Sequence, residues 1–186
     1  QKIPGIDVSR VFQLITELLA VKQKQMIVLH LSDEFANDPI EYYKHPAVKK
    51  VLRNYWRPDI GADNDKVVYL PLGYAPNRHG AHMPVAPAFQ NRPTTWSFVG
   101  SLDRPGRAEA LAVLQGAVSG GVLHAKPRWD SPNLLEAEAY NELMRATKFV
   151  PCFRGSRALE SYRLYETLEH GGIPVYVKSE SADCSD

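Results

Sequence analysis

Arg163 and Glu166 stand three residues apart in Arg163-Leu-Tyr-Glu-Thr-Leu168. If this stretch is helical, both side chains share one face. A cation and an acid at a helix's N-terminal end could meet a bound nucleotide, the guanidinium towards phosphate and the carboxylate towards ribose hydroxyls. Plainer roles are also open. Arg163 could pair with Glu160 or Glu166, and Glu166 could be an exposed carboxylate paired with His170, one turn on. Just upstream, Arg154, Gly155, Ser156 and Arg157 form a basic loop. A second basic turn is Phe98-Val-Gly-Ser-Leu-Asp-Arg-Pro-Gly-Arg107. There Gly100 would let the backbone approach a ligand, and Arg104 and Arg107 could clamp a diphosphate. The alternative is an ordinary strand-to-helix turn with solvated arginines, since GxGxxG is absent.

Leu29-His-Leu-Ser-Asp-Glu34 ends an apolar run with groups able to handle a proton. Asp33 or Glu34 could act as a general base towards an attacking hydroxyl. Equally, Asp33 could cap the following turn and Glu34 be solvated. His30, His79, His82 and His124 show no metal-ligand spacing, and Asp63-Asn-Asp65 reads as a turn before a strand, so no metal site is expected.

Those residues need elements to hold them. A helical stripe runs from Val8 to Lys24, followed by a buried strand over Met26–Leu31. Short helices are expected over Pro39–Lys44 and Pro46–Arg53, then a strand over Lys66–Leu70. Residues 76–93 hold four prolines and no periodicity, which marks a linker. A second α/β unit follows: strands over Thr94–Val99, Gly121–His124 and Lys148–Phe153, and helices over Arg107–Val118 and Pro132–Thr147, the latter capped by Ser131 or Asn133. A short helix, a stop at Gly171-Gly172 and an apolar strand, Ile173–Val177, complete it. Strands alternating with helices predict parallel sheets with right-handed crossovers. The expected fold is therefore α/β, with two Rossmann-like units: residues 1–75 as a partial first unit and residues 94–186 as the nucleotide-binding one.

The chain has 186 residues, 44% of them hydrophobic, and a net charge of +1. That charge argues against nucleic acid as a partner. No apolar run is long enough to span a membrane, and the first residues lack a signal-peptide pattern. Of the two cysteines, Cys152 reads as a buried thiol in a strand, although a pair with Cys184 is open.

The run from Val150 to Val177 resembles the donor-binding segment of exostosin-like glycosyltransferases. Pro151, Gly155, Ser161, Arg163-Leu-Tyr-Glu-Thr-Leu168 and Gly172-Ile-Pro-Val175 carry the likeness. The Phe98-to-Arg107 turn, Arg53-Asn-Tyr-Trp56 and Leu70-Pro-Leu-Gly-Tyr74 add weaker echoes, the last two shared with Golgi xylosyltransferases and open to plainer readings as aromatic packing and a turn glycine. The resemblance implies a GT-B fold with a cleft between its units, and considerably more chain than is present. It implies an inverting transfer from a UDP-sugar to a glycan hydroxyl, with no other cofactor. Retaining relatives carry an acid eight positions before the ribose glutamate, where this chain has Ala158. Glu166 would hold ribose, and Arg163, Arg104 and Arg107 the diphosphate, with Arg154 and Gly155 lining the pocket. Asp33 or Glu34 would be the base. The family works in the Golgi lumen as type II membrane proteins. One rival expectation is a non-catalytic scaffold with exposed apolar surface; another is an unrelated Rossmann-like nucleotide binder or epimerase.

Overall fold

A computed structural model describes residues 8–31, 33–60, 64–73, 85–132, 134–155 and 161–176. Asp63, His79, His82, Asn133, Ser156, Arg157, Glu160, Cys184 and linker residues 76–84 lie outside the described residues. The chain divides into two compact units, Gln1–Pro71 and Leu72–Asp186, each with its own parallel sheet. This is an α/β architecture compatible with two Rossmann-like units.

In the first unit, helix α1 (Val8–Val21) precedes strand β1 (Met26–His30), a 3-10 helix (Glu41–Lys44), β2 (Val48–Arg53), a second 3-10 helix (Pro58–Ile60) and β3 (Val67–Tyr69). The sheet order is β1-β2-β3. The helix expected over Pro46–Arg53 is instead the central strand β2. Its register explains the misleading pattern. Met26 pairs with Val48 but Ile27 pairs with Lys50, so Lys49 is a bulge residue. A bulge inserts one residue and shifts the alternation. Val48 and Val51 therefore share the core face although they are three apart, which mimics a helical stripe. Tyr43, Val48 and Val51 form that core, with Phe12, Met26, Val28 and Val67 packed against it. On the other face Ile27, Leu29 and Val68 are exposed, so β1 is not buried on both sides as expected.

The second unit runs β4 (Thr94–Ser101), α2 (Arg107–Ala117), β5 (Gly121–Lys126), α3 (Ala137–Ala146), β6 (Thr147–Cys152), α4 (Tyr162–Glu169) and β7 (Ile173–Tyr176). Sheet order is β5-β4-β6-β7. Alternation along β4 feeds two cores: Trp96 and Phe98 pack with Leu111 of α2, while Val99 packs with Tyr140 and Met144 of α3. The expected cap at Ser131 is not used: α3 begins after Glu136, whose side chain makes no capping bond. Leu135 reaches the core from the preceding loop instead.

Helix α4 ends as its glycines predict. Gly171 has φ +68°, its N–H donates to Leu168 O, and the Gly172 N–H donates to Thr167 O. This is a Schellman ending. The strand it releases, β7, is at the sheet edge with Ile173, Val175 and Tyr176 exposed, not covered on both faces. An edge place accommodates Pro174, which cannot donate to a ladder. From Pro87 to Arg92 the expected linker is packed into this unit: Arg92 is buried and donates to Thr147 O at 2.8 Å and His170 O at 2.9 Å. The guanidinium supplies donors that fix the starts of β6 and β7, which a free linker would not.

Candidate functional site

The crossover from β4 runs to β5 on one side, and the next returns from β5 past β4 to β6 on the other, so the β4–β6 junction is the sheet's topological switch point. Ligands of open α/β sheets bind in the crevice at the carboxyl ends of such strands. Here β4 and β6 pair at Thr94–Thr147 and Trp96–Phe149. The next residue in that series, Pro151, has no N–H to donate, and the β4–β6 ladder stops before it.

Arg163 enters this gap from the first turn of α4. Its Nη2 donates to Val99 O, and its guanidinium carbon lies 4.4 Å from the centroid of the Phe98 ring. Gly100, two residues beyond Phe98 on the same strand face, makes room for it. Gly100 thus admits a side chain of this protein, where a ligand had been expected. Arg107, the first residue of α2, arrives from the other side. Its Nη1 donates to Ser101 O at 2.8 Å, its Nη2 to Arg154 O at 3.1 Å, and its guanidinium lies 5.5 Å from the Phe153 centroid and 5.8 Å from that of Phe98. Burial, reinforced by the charge of Arg163, pulls its pKa down to about 10.

Two cations thus share one aromatic surface, and among the described residues neither forms an ion pair with a carboxylate. Among the described residues, the buried Nε atoms of both have no hydrogen-bond partner. Placing like charges together in a poorly hydrated place is costly unless an anion answers them. Arg104, Arg154 and Gly155 are half-buried in the two flanking loops, and the Arg154 carbonyl accepts from Arg107.

Glu166 does not present an open carboxylate. It is 4% exposed, and Tyr140 of α3 donates its hydroxyl to Oε2 at 2.6 Å. His170 turns its Nδ1 to the Glu166 carbonyl oxygen at 2.6 Å, so the expected side-chain pair does not form. The carboxylate expected to hold ribose is instead taken up by Tyr140 of α3 in this structure.

In the first unit Asp33 is likewise committed. Its Oδ2 accepts from Arg53 Nη2 at 3.1 Å and Arg57 Nη1 at 3.0 Å, while Oδ1 accepts from the N–H groups of Asn37 and Asp38 at 2.9 and 3.1 Å. Burial alone would raise this carboxyl's pKa, but the Asp38 N–H and the two guanidinium groups outweigh it and hold it below the ordinary carboxylate value. Asp33 is therefore the organiser of the 33–38 turn and a poor general base. Glu34 is half-buried and makes no bond to another described residue. His30 bridges Tyr43 Oη at 2.5 Å and Asp38 Oδ2 at 3.1 Å, and Tyr43 Oη in turn accepts from Arg53 Nη1 at 3.0 Å. His30, Asp33 and Asp38 place ligand atoms within 4.8 Å of one another. Two guanidinium groups already occupy that space, a poor setting for a cation. Asn64 Oδ1 accepts the Lys66 N–H at 3.2 Å, which is turn chemistry.

Phe98, Tyr140, Arg53 and Arg57 were not singled out by their types. Phe98-Val-Gly100 carried a local signal, an aromatic and a glycine on one strand face, and Arg53 was visible only within the Arg53-Asn-Tyr-Trp56 run. No protein-family model matches this chain, and no curated protein matches it.

Proposed function

We propose that the second unit binds the diphosphate of a nucleotide sugar at the β4–β6 switch point, and that the protein is an inverting glycosyltransferase of GT-B architecture acting on a UDP-sugar and a glycan hydroxyl. The observation that carries this reading is the pair of guanidinium groups, Arg107 and Arg163, converging on Phe98 without a carboxylate partner among the described residues. Arg163, half-buried with its Nη1 unpartnered among the described residues, makes the contact with phosphate. Arg107, deeper, adds field. Such preorganised cations stabilise a departing diphosphate. The transfer also needs a base for the acceptor hydroxyl. Of the two acids expected in that role, Glu34 is the one that no described arginine holds. The resemblance to exostosin-like chains supports the sugar-nucleotide chemistry and a Golgi lumenal setting; no helix among the described residues is long and apolar enough to cross a membrane.

Titration with UDP and inorganic pyrophosphate tests the site. Arg163→Gln should weaken both by about tenfold or more, the scale of one charge-assisted contact. A wild-type chain that binds neither ligand would sink the reading.

One observation favours a second reading, a non-catalytic scaffold. In the first unit, Val11, Leu14, Ile15, Leu18 and Val21 of α1 are exposed, as are Ile27, Leu29 and Val68 on the open sheet face. Apolar area of this kind is a common interaction surface. This reading predicts folding without nucleotide affinity.

A further inference from the structure

Trp129 is 73% exposed, uncommon for so large an apolar side chain. Its loop is nonetheless tied down. The Trp129 N–H donates to Asp103 Oδ2 at 3.0 Å, and its neighbours Arg128 and Asp130 form a two-pronged pair with both contacts at 3.0 Å. That N–H, first among several groups, holds the Asp103 carboxyl below its ordinary pKa, so the anchor stays ionised at neutral pH. Lys126 Nζ donates to Ser131 O at 2.7 Å and lies 5.8 Å from the indole centroid.

The location matters more than the exposure. Strand β5 ends at Lys126, opposite Ser101 of β4, and the Leu102 N–H donates to Lys126 O at 2.9 Å. The indole's loop is thus fastened twice to the loop that runs from β4 into Arg107, at Leu102 and at Asp103. In nucleotide-binding α/β sheets, phosphate groups sit at the turn after the first strand and the nucleoside extends towards the carboxyl end of the second. Strands β4 and β5 stand in that relation.

We infer that Trp129 is the stacking platform for the nucleobase of the nucleotide whose diphosphate lies against Arg163. This rests on the diphosphate reading above and extends it to the base. An exposed indole offers a flat apolar face that any base can cover, and the Lys126 ammonium beside it adds positive potential on the way to the phosphates. It also relocates the nucleoside to the β5 side of the switch point, away from the committed carboxylate of Glu166.

The test compares UDP with inorganic pyrophosphate, which has the phosphates and no base, on the whole chain. Trp129→Ala should weaken UDP by about tenfold, a typical loss for one base–aromatic stack, and leave pyrophosphate unchanged. Trp129→Phe, which keeps a ring, should retain most of the UDP affinity. Equal UDP affinity in wild type and Trp129→Ala overturns the stacking role while pyrophosphate binding preserves the diphosphate site. A loss seen with a UDP-hexose and absent with UDP would move the indole to the sugar and also overturn it. Failure of wild type to bind pyrophosphate or UDP removes both readings together.

Discussion

A Cβ on Gly100 would lie 2.7 Å from Nη2 of Arg163, so the glycine and the arginine occupy one another's space at the crevice between β4 and β6. The contact joins residues 63 positions apart and ties the end of the first strand to the start of α4. Gly100→Ala must therefore push the guanidinium aside. The displaced atom is the tip of a flexible side chain, so the fold should survive, at a cost of about 1 kcal/mol. Pyrophosphate affinity should fall towards that of Arg163→Gln. Unchanged affinity, measured by calorimetry, would show that the position of Arg163 does not matter to an anion.

Ligand and stability are linked through the same two cations. An anion that neutralises Arg107 and Arg163 binds the folded state alone, so saturating pyrophosphate should raise the second unit's stability. At a hundred times its Kd the gain is about 2.7 kcal/mol. Differential scanning calorimetry should show an upward shift confined to one transition, and at the same pyrophosphate concentration a tenfold weaker Arg163→Gln should keep only about half of it.

Tyr140 and Glu166 form a buried hydroxyl–carboxylate bond of 2.6 Å between α3 and α4. Tyr140→Phe removes the donor and leaves the acid in place. The expected loss is about 1–3 kcal/mol in urea unfolding, the range for an unsatisfied buried acceptor. Pyrophosphate affinity should be largely kept, since the bond is structural. A large loss of binding with little loss of stability would return Glu166 to the ligand.

Asp33 holds two buried guanidinium groups in the first unit. Asp33→Asn removes the charge and should destabilise that unit by about 3–5 kcal/mol, as when one partner of a buried ion pair is lost. The pH dependence follows from the lowered pKa of the folded state. The carboxylate's contribution is complete above the ordinary value near 4 and is lost as pH falls through the lower folded value. Acid unfolding of the first unit should therefore steepen below about pH 4 in wild type, and Asp33→Asn should flatten that segment.

Much of the second unit was legible because its signals are local. The Gly171-Gly172 pair places a left-handed turn wherever a helix ends on it, and Ile173-Pro-Val-Tyr176 is extended in any context its proline allows. The basic residues at 104, 107, 154 and 163 were visible as loop and helix-start residues, and strand order placed them at one edge. Other elements were illegible for a nameable reason. The bulge at Lys49 made a strand look helical, because alternation is readable only while the register is unbroken.

Burial partners were hidden for a different reason. Asp33 meets Arg57, Tyr140 meets Glu166 and Arg163 meets Phe98 across separations that no local pattern encodes. The amino-acid sequence by itself determined where helices stop, which strands are apolar and where cations are available. The tertiary structure alone decided which charges are answered: it gave Asp33 two guanidinium partners and Glu166 a hydroxyl, and it left Arg107 and Arg163 facing one ring. Those assignments depend on which elements pack together, and packing is a property of the whole chain.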